Sequence, residues 1–293
     1  MECIRDLDVL IARIDAGLVT RKTDIAAGAA ILDGFYFEPD DQTKEEINRH
    51  PFGSPENYEA QMRLIYEPIA GHTHALEMEG LDTPLASADC PFPFDLSPYD
   101  VGYWTMSYGY MLKCMALPAG ARVLEIGSGP GGLTEVLCRA RLAVTVVEPR
   151  QSNCDYIKKR VTLFGHDVET ISENIETVEF DQPFDAIVFY ESFHHMPSPH
   201  WLLKRLSKHL KPGGMFVFGA EPIQPAGPLI PFPWGFRMNG ASLSAIRDVG
   251  WVEFGFQEPY FRTMLSSVGF GVEQSKVGGF AHCDVWIARR PRF

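Results

Sequence analysis

The sequence lacks the features that mark a disulfide scaffold, a zinc ribbon or a membrane segment. None of its six cysteines forms a C-x-x-C pair: Cys3, Cys90, Cys114, Cys138, Cys154 and Cys283. This scatter predicts reduced thiols in a cytoplasmic protein. Glu2, Asp6 and Asp8 lie close to the N-terminus, where there is no long apolar run. We therefore expect neither a signal peptide nor a membrane span.

Runs of basic residues are also missing. The chain carries 26 Lys and Arg against 38 Asp and Glu, a net charge of -12 at pH 7. Such a field repels phosphate backbones, so nucleic acid is not expected as a partner. A hydrophobic fraction of 45% is ordinary for a globular protein with a sizeable core. At 293 residues, the chain is expected to hold one large domain plus an extension.

The most informative stretch present reads VLEIGSGPGGLT, from Val123 to Thr134. Val123–Ile126 predicts a short buried strand, and Leu133–Ala140 predicts a helix. Between them lie Gly127, Gly129, Gly131 and Gly132. Glycine has no Cβ and tolerates positive φ, so backbone at these positions can pass close to a ligand. A strand, a glycine loop and a helix in this order predict a nucleotide-type binding corner in a doubly wound α/β sheet.

A second strand, Ala143–Val147, is followed by Glu148, about twenty residues after the first glycine. A carboxylate in this place accepts hydrogen bonds from ribose hydroxyls, for nicotinamide and adenosyl ligands alike. The spacing of the glycines also satisfies G-x-G-x-x-G, so an NAD-dependent oxidoreductase stays open. Glu125, two residues before the first glycine, is not required by that dinucleotide pattern.

Further patterns follow towards the C-terminus. Phe184–Tyr190 is a nearly continuous apolar run, as expected for a central parallel strand covered on both faces. The loop ESFHHM comes next, then a predicted helix from Pro199 to Leu210. Lys211-Pro212-Gly213-Gly214 predicts a turn, because proline and glycine stop a helix and reverse the chain. Met215–Ala220 predicts another strand.

The combination of E-x-G-x-G-x-G, the FD strand, the HH loop and L-K-P-G-G resembles class I S-adenosylmethionine-dependent methyltransferases. The resemblance covers roughly Tyr99 to Arg290. It implies a Rossmann-like α/β fold with a mostly parallel, seven-stranded sheet whose last strand is antiparallel. It also implies S-adenosyl-L-methionine as the cofactor. The remaining strands would be Val168–Ile171, Phe270–Val277 and His282–Ala288.

By this resemblance, Glu148 would bind the ribose hydroxyls and Glu125 would hold the loop and the methionine ammonium group. Glu191 would face the sulfonium end, and Tyr103 would cover the methionine carboxylate. Glu173 or Asn174 would contact the adenine amino group, with Ile175 against the ring. The remaining cofactor positions are Gly127, Ser128, Gly129, Gly131 and Pro149.

Candidates for a catalytic base follow the fourth and fifth strands. They are His194, His195 and Glu221, and the carboxyl edge of such a sheet is where ligands bind. A neutral imidazole can take a proton from a hydroxyl near neutral pH, although one histidine could instead only brace the loop. His282 is a further candidate. Glu191, Glu221 and a histidine could in principle bind Mg²⁺, but no spacing demands a metal and no metal site is assigned.

Outside the family core, residues 1–95 predict an N-terminal helical extension, and residues 96–293 the cofactor-binding domain. Ile25–Leu32 and Pro55–Ile69 predict helices, Asp40–Pro55 a loop and Pro84–Pro98 an extended connector. Residues 222–258 form an aromatic, proline-rich insertion after strand five. It could be a lid over the acceptor or a segment packed against the extension.

The loop after strand four lacks the N/D-P-P-Y signature that the family uses for planar nitrogens. With the aromatic insertion, this favours O-methylation of a hydroxyl on a small glycan- or natural-product-type acceptor. N- or C-methylation of a small molecule stays open, as does a non-catalytic module that only binds. The sequence leaves the oligomeric state open, a homodimer included.

Overall fold

The computed structural model describes residues 1–75, 78–79 and 91–290. Residues 84–90 of the predicted connector Pro84–Pro98, Cys90 among them, lie outside the described residues. The other five cysteines are free thiols. Among the described residues, no helix combines the length and the apolar character needed to cross a membrane.

The α-helices, numbered in chain order, are α1 (Leu7–Arg21), α2 (Ile25–Asp33), α3 (Asp41–Asn48), α4 (Pro55–Gln61), α5 (Glu67–Ala70), α6 (Pro98–Met115), α7 (Gly132–Arg139), α8 (Gln151–Thr162), α9 (Pro199–Leu206), α10 (Gly240–Val249) and α11 (Glu258–Ser267). A π-helical turn, Met62–Tyr66, joins α4 to α5.

The strands are β1 (Glu2–Ile4), β2 (Phe35–Phe37), β3 (Arg122–Ile126), β4 (Ala143–Val147), β5 (Glu169–Ile171), β6 (Phe184–Tyr190), β7 (Leu210–Gly219), β8 (Ile223–Gln224), β9 (Trp234–Phe236), β10 (Phe254–Gln257), β11 (Gly271–Val277) and β12 (Phe280–Arg289).

The chain forms two compact units. Unit one consists of Met1–Gly80, His194–His200 and Pro222–Thr263. Unit two consists of Leu81–Phe193, Trp201–Glu221 and Met264–Phe293. The predicted boundary at residue 95 stays a prediction.

Unit two is built on a seven-stranded sheet in the order β11-β12-β7-β6-β3-β4-β5. Strands β3 to β7 run parallel to one another, and β12 is antiparallel to both β7 and β11. The predicted Rossmann-like sheet with an antiparallel last strand is therefore confirmed. Because the middle strands are apolar on both sides, each face of the sheet is covered. Met111, Leu137 and Ile157 belong to one buried cluster, and Phe189, Phe193 and Phe218 stack in another.

The Lys211–Gly214 segment differs from its prediction as a turn ahead of the strand. It lies inside β7, which pairs with β6 through Leu210 opposite Phe184 and through Met215 opposite Ala186. The extra residues on β7 bulge out between these two pairs, with Gly213 at a φ of 77°. The predicted helix also ends earlier, at Leu206, and continues as a short 3₁₀ turn, Ser207–His209.

Unit one contains α1, α2 and α10, a parallel pair of strands β1-β2, and a small sheet in the order β8-β10-β9. Asp6 and Asp24 cap the first two helices by accepting hydrogen bonds from the amides of Val9 and Ala27. The prediction of helices at Ile25–Leu32 and Pro55–Ile69 is confirmed.

The predicted loop Asp40–Pro55 is wrong, because its first half forms α3. Asp40 caps this helix by accepting from the amide of Thr43 at 2.7 Å. Arg49 pairs with Glu45 and Glu46 one turn back, and Ile47 is buried. Capping and these short-range pairs stabilise a helix that is polar almost throughout.

The aromatic insertion has its own secondary structure and is largely buried. It supplies β8, β9, α10 and β10, and Trp234, Phe236 and Phe254 are fully buried. Gln61 of α4 accepts a hydrogen bond from the amide of Phe236 at 3.1 Å and donates to the carbonyl of Trp234 at 3.2 Å. These contacts favour the packing interpretation of the insertion over an irregular lid.

Candidate active site

The glycine corner of unit two follows β3 as the sequence predicts. Gly127, Gly129 and Gly131 have φ values of 68°, 51° and 75°. A Cβ on Gly127 would lie 2.8 Å from Cβ of Ser192, so no larger residue fits there without a shift. A Cβ on Gly129 would meet no described atom within 4 Å, which leaves open space beside this stretch of backbone. Only glycine combines the left-handed conformation with this close approach.

Ser128 adds a second sign of a binding corner. Its hydroxyl oxygen is buried, and no hydrogen-bond partner lies within reach among the described residues. Buried polar atoms in folded proteins almost always have a partner. An open space beside a glycine and an orphan hydroxyl one residue away fit a polar ligand bound against the loop.

The loop is held from behind by a buried ion pair. Nε of Arg160 donates to Glu135 at 2.7 Å, and Nη1 donates to the carbonyl of Pro130 at 3.2 Å. Arg160 is 1% exposed. A charged group so deeply buried fixes the geometry of its partners, because breaking the pair would leave an uncompensated charge.

Glu125 lies at the end of β3 and is buried. One oxygen of its carboxyl accepts a hydrogen bond from the hydroxyl of Thr134 at 2.7 Å. Burial raises the pKa of Glu125 to about 7, and the charge of Glu148 acts in the same direction. The Thr134 hydroxyl and Arg160 oppose this rise without cancelling it.

Glu148 follows β4 directly and is also buried, at 4% exposed. Its Oε2 accepts from the amide of Gly129 at 3.1 Å. Its Oε1 accepts from the amide of Arg150 at 3.3 Å and from the side chain of Asn153 at 3.2 Å. Burial raises the pKa of Glu148, against the effect of these donors. This carboxylate therefore also ties the glycine loop to the start of α8.

The candidate adenine residues follow β5. Glu173 is exposed, Asn174 is half-buried and Ile175 is buried. The side-chain oxygen of Asn174 accepts from the amide of Glu176 at 2.9 Å, which fixes a turn. Pro149 is exposed, and its carbonyl accepts from the hydroxyl of Ser172 at 3.2 Å. This contact ties the loops after β4 and β5 together.

The loop after β6 is held by Glu221. Its Oε1 accepts from the amides of Ser192 and Phe193 at 2.9 and 2.8 Å. The Ser192 hydroxyl donates to the carbonyl of Ile126 at 2.7 Å. Glu191, just before, has a φ of 48°. These contacts favour a positioning role for Glu221, and its assignment as a base stays a prediction.

Tyr103, His282 and Glu191 form a hydrogen-bonded chain in unit two that the sequence does not reveal. Nε2 of His282 is 2.9 Å from Oε1 of Glu191, and Nδ1 is 2.8 Å from the hydroxyl of Tyr103. A carboxylate only accepts, so in the neutral imidazole Nε2 carries the hydrogen and Nδ1 accepts from the tyrosine. Residue spacing cannot identify this chain, because its members come from α6, β12 and the loop after β6.

His194 and His195 belong to unit one, where their rings stack with centroids 4.2 Å apart. Nε2 of His194 is 3.7 Å from Oε2 of Glu253, and Nδ1 of His195 is 3.0 Å from Oε2 of Glu79. Burial acts to raise the pKa of Glu79, but hydrogen bonds from His195 and His74 outweigh it and lower that pKa to about 2. Neither Glu79 nor Glu253 was identified as a candidate from the sequence.

The part of the chain that contains the glycine corner is similar to known methyltransferases. A family profile described as a methyltransferase domain matches residues 123–214. The malonyl-[acyl-carrier protein] O-methyltransferase of Priestia megaterium is 35% identical over 98 residues, which are 33% of this chain and 35% of that protein. The ubiquinone biosynthesis O-methyltransferase of Idiomarina loihiensis is 31% identical over 101 residues, 34% of this chain and 42% of that protein. The matches thus span less than half the length of these relatives.

Among solved structures, N-methyltransferase NodS from Bradyrhizobium japonicum, in complex with S-adenosyl-l-homocysteine, has a TM-score of 0.46 and 21% identity, covering 70% of this chain and 93% of that one. A Burkholderia thailandensis 1,6-didemethyltoxoflavin-N1-methyltransferase has a TM-score of 0.49 and 18% identity, covering 75% and 95%. The fold is established by the sheet order, and the similarity to methyltransferases by the profile match. Residues 123–214 are thus similar to a methyltransferase domain, and the sheet has the order and the antiparallel last strand expected for a Rossmann-like methyltransferase fold.

Proposed function

We propose that the protein transfers a methyl group from S-adenosylmethionine to a hydroxyl of a small acceptor. The observation that carries this proposal is the glycine corner of unit two. There, two buried carboxylates, Glu125 and Glu148, flank open space at Gly129 and an orphan hydroxyl on Ser128. Such a corner suits a cationic ligand that contains a ribose. Glu125 can balance the positive charge, and Glu148 can accept hydrogen bonds from the ribose hydroxyls.

S-adenosylmethionine supplies a methyl group that is already electrophilic, because it is bonded to a sulfonium sulfur. The chain's own residues then have to hold the donor and exclude water. Glu148 would accept from the ribose hydroxyls, and Glu125 with Ser128 would hold the amino-acid end. Gly127, Gly129 and Gly131 would let the backbone approach. Glu173, Asn174, Ile175 and Pro149 would line the adenine end. Glu191 would face the sulfonium end, and Tyr103 would cover the methionine carboxylate.

A hydroxyl acceptor must lose a proton, and unit two offers a positioned imidazole for it. His282 is 30% exposed and is fixed on both nitrogens, by Glu191 and Tyr103. A carboxylate behind an imidazole holds its orientation and stabilises the imidazolium that proton transfer creates. We assign His282 as the leading candidate for the final proton acceptor in unit two: the acceptor hydroxyl would give its proton to the hydroxyl oxygen of Tyr103 while the Tyr103 proton passes to Nδ1 of His282. Glu221 would hold the adjacent loop. His194 and His195 are the other candidates for that role.

The two relatives described above favour oxygen as the methylated atom, since both are O-methyltransferases. The acidic net charge favours a small acceptor over a nucleic acid. A glycan- or natural-product-type hydroxyl is the acceptor class that we propose. N- or C-methylation of such an acceptor and a module that binds the cofactor without turnover are the competing functions.

Isothermal titration calorimetry with S-adenosylmethionine, S-adenosylhomocysteine and NAD tests the cofactor first. We expect saturable binding of both adenosyl ligands and none of NAD. Binding of NAD alone would overturn the proposal in favour of an oxidoreductase.

Release of S-adenosylhomocysteine is then measured with a panel of hydroxylated acceptors and their O-methylated counterparts. Turnover with the free hydroxyl and none with the blocked one is the expected result. Methylation of an amine or carbon in the blocked compounds would instead support the N- or C-methyltransferase.

A further inference from the structure

Unit one gathers two histidines and two glutamates from three separate stretches of chain. His194, His195 and Glu253 each offer a ligand atom, and these atoms all lie within 4.8 Å of one another. Atoms bound to one metal ion at about 2.0 to 2.2 Å are separated by roughly 3 to 4 Å. Small side-chain rotations would therefore bring this trio onto a common ion.

The fourth residue, Glu79, is placed behind His195. Its Oε2 is 3.0 Å from Nδ1 of His195, the distance of a close ion pair. Its Oε1 accepts from the amide of Val252 at 2.8 Å and contacts Nε2 of His74 at 2.9 Å. Metal-binding histidines commonly have a carboxylate at the ring nitrogen that does not bind the metal. Glu79 occupies that place and leaves Nε2 of His195 for an ion.

The cluster is also shielded from water. The side chains of His194, Glu253 and Glu79 are 7%, 11% and 13% exposed, and that of His195 is 22% exposed. Arg237 forms an ion pair with Oε2 of Glu253. A carboxylate has two oxygens and about four lone-pair sites, so Glu253 can keep this arginine and still bind a cation.

We propose that His194, His195 and Glu253 bind a divalent transition-metal ion, with Glu79 orienting His195. Two imidazole nitrogens and one carboxylate oxygen suit Zn²⁺ and similar ions, whereas Mg²⁺ and Ca²⁺ prefer oxygen ligands alone. Three protein ligands leave a further position for water or a hydroxyl-bearing molecule. With the two histidines used as ligands, His282 remains as the base of the proposed methyl transfer.

The test uses the full chain, stripped of metal with a chelator and then titrated with Zn²⁺ in a calorimeter. We expect one saturable site per chain and at least about a tenfold loss of affinity in His195→Gln and Glu253→Gln. Glu79→Gln should weaken binding by about tenfold or more, the usual cost of losing the carboxylate behind a ligand. His200→Gln, at an exposed histidine of α9, is the matched control and should bind as the wild type does.

A second measurement needs no variant and so does not depend on the folding of one. Diethyl pyrocarbonate modifies accessible imidazoles, and mass spectrometry locates the adducts. Zn²⁺ should protect His195, whose side chain is 22% exposed, and leave the exposed His200 reactive. No saturable binding, unchanged affinity in both ligand variants, or equal modification of His195 with and without Zn²⁺ would each overturn the site. None of these results bears on binding of S-adenosylmethionine, so the proposed function is judged separately.

Discussion

Two acids of low solvent exposure, one in each unit, have pKa values displaced in opposite directions. In unit two, Glu125 has one hydroxyl donor, and burial raises its pKa to about 7. In unit one, Glu79 is 13% exposed, but two histidines and a backbone amide donate to it or face it, and its pKa falls to about 2. The comparison teaches that the donors around a buried carboxyl, more than its depth, decide whether it carries charge at neutral pH.

The largest effect is expected at Glu148, the other buried carboxylate of the glycine corner. Replacing it by alanine should lower the affinity for S-adenosylhomocysteine by at least roughly a hundredfold, because two charge-assisted hydrogen bonds to ribose are lost. Calorimetry measures this, with Glu273→Ala at an exposed site of β11 as the control. Near-normal affinity in the Glu148 variant would contradict the proposed ribose contact.

Glu148 also has a structural role that its position at a strand end does not reveal. The side chain is buried and accepts hydrogen bonds from Gly129, Arg150 and Asn153. The alanine variant should therefore also lose about 2 kcal/mol of unfolding free energy. Glu148→Gln, which keeps one acceptor oxygen, should lose less.

The next prediction concerns how the unfolding free energy depends on pH, which distinguishes Glu125 from Glu79. The folded state raises the pKa of Glu125 above its ordinary value near 4.5, so between pH 4.5 and about 7 it holds a proton that the unfolded chain has released. Unfolding free energy should fall as pH rises through this interval, by about 3 kcal/mol for this group. Glu125→Gln cannot ionise and should show a flatter curve in urea titrations at pH 5, 6, 7 and 8. Parallel curves for the two proteins would show that Glu125 is ionised throughout.

The Glu79→Gln variant tests the acid of unit one, whose pKa is lowered and not raised. The variant keeps an acceptor for Val252 but loses the charge that faces His195 and His74. We expect a loss of about 1 to 2 kcal/mol in unfolding free energy at pH 7, measured by urea denaturation. The loss should disappear as pH falls from about 4.5 towards 2, where the wild-type carboxyl also becomes neutral. Glu59→Gln, on the exposed side of α4, should leave stability unchanged.

The smallest effect is expected at Ser128, and it separates binding from stability. Its buried hydroxyl has no partner within the described residues, so Ser128→Ala should leave unfolding free energy unchanged or slightly higher. Affinity for S-adenosylhomocysteine should fall by roughly three- to tenfold, for one lost hydrogen bond. Thermal unfolding with and without ligand gives both values. Reduced stability of the ligand-free variant would indicate an unrecognised partner of the hydroxyl.

Much of unit two could be predicted from the sequence because its signals are local. Apolar runs such as Phe184–Tyr190 identify buried strands, and the glycines identify the loop by a property that no other residue shares. Glu148 was found by its place after a strand. In contrast, the chain of Tyr103, His282 and Glu191 depends on which strand lies beside which, and spacing carries no such information.

The contacts of unit one were harder to predict from the sequence, because they too depend on which elements pack together. Glu79, His194 and Glu253 come from distant parts of the chain, so their proximity is a product of packing alone. The helix α3 was missed because its stability rests on a cap and charge pairs, without an apolar stripe that would show the helical period. The insertion was identified by its aromatic and proline content, but its own sheet was not predicted.

The discontinuous make-up of unit one has a consequence for how the protein emerges from the ribosome. Its first segment ends at Gly80 and its last begins at Pro222. At roughly 5 to 20 residues per second, the leading helices wait about 7 to 30 seconds before the strands and the helix that complete their core are synthesised. During that interval the apolar side chains of α1 and α2 have no finished partner, so chaperone capture of nascent chains should be greatest at these intermediate lengths.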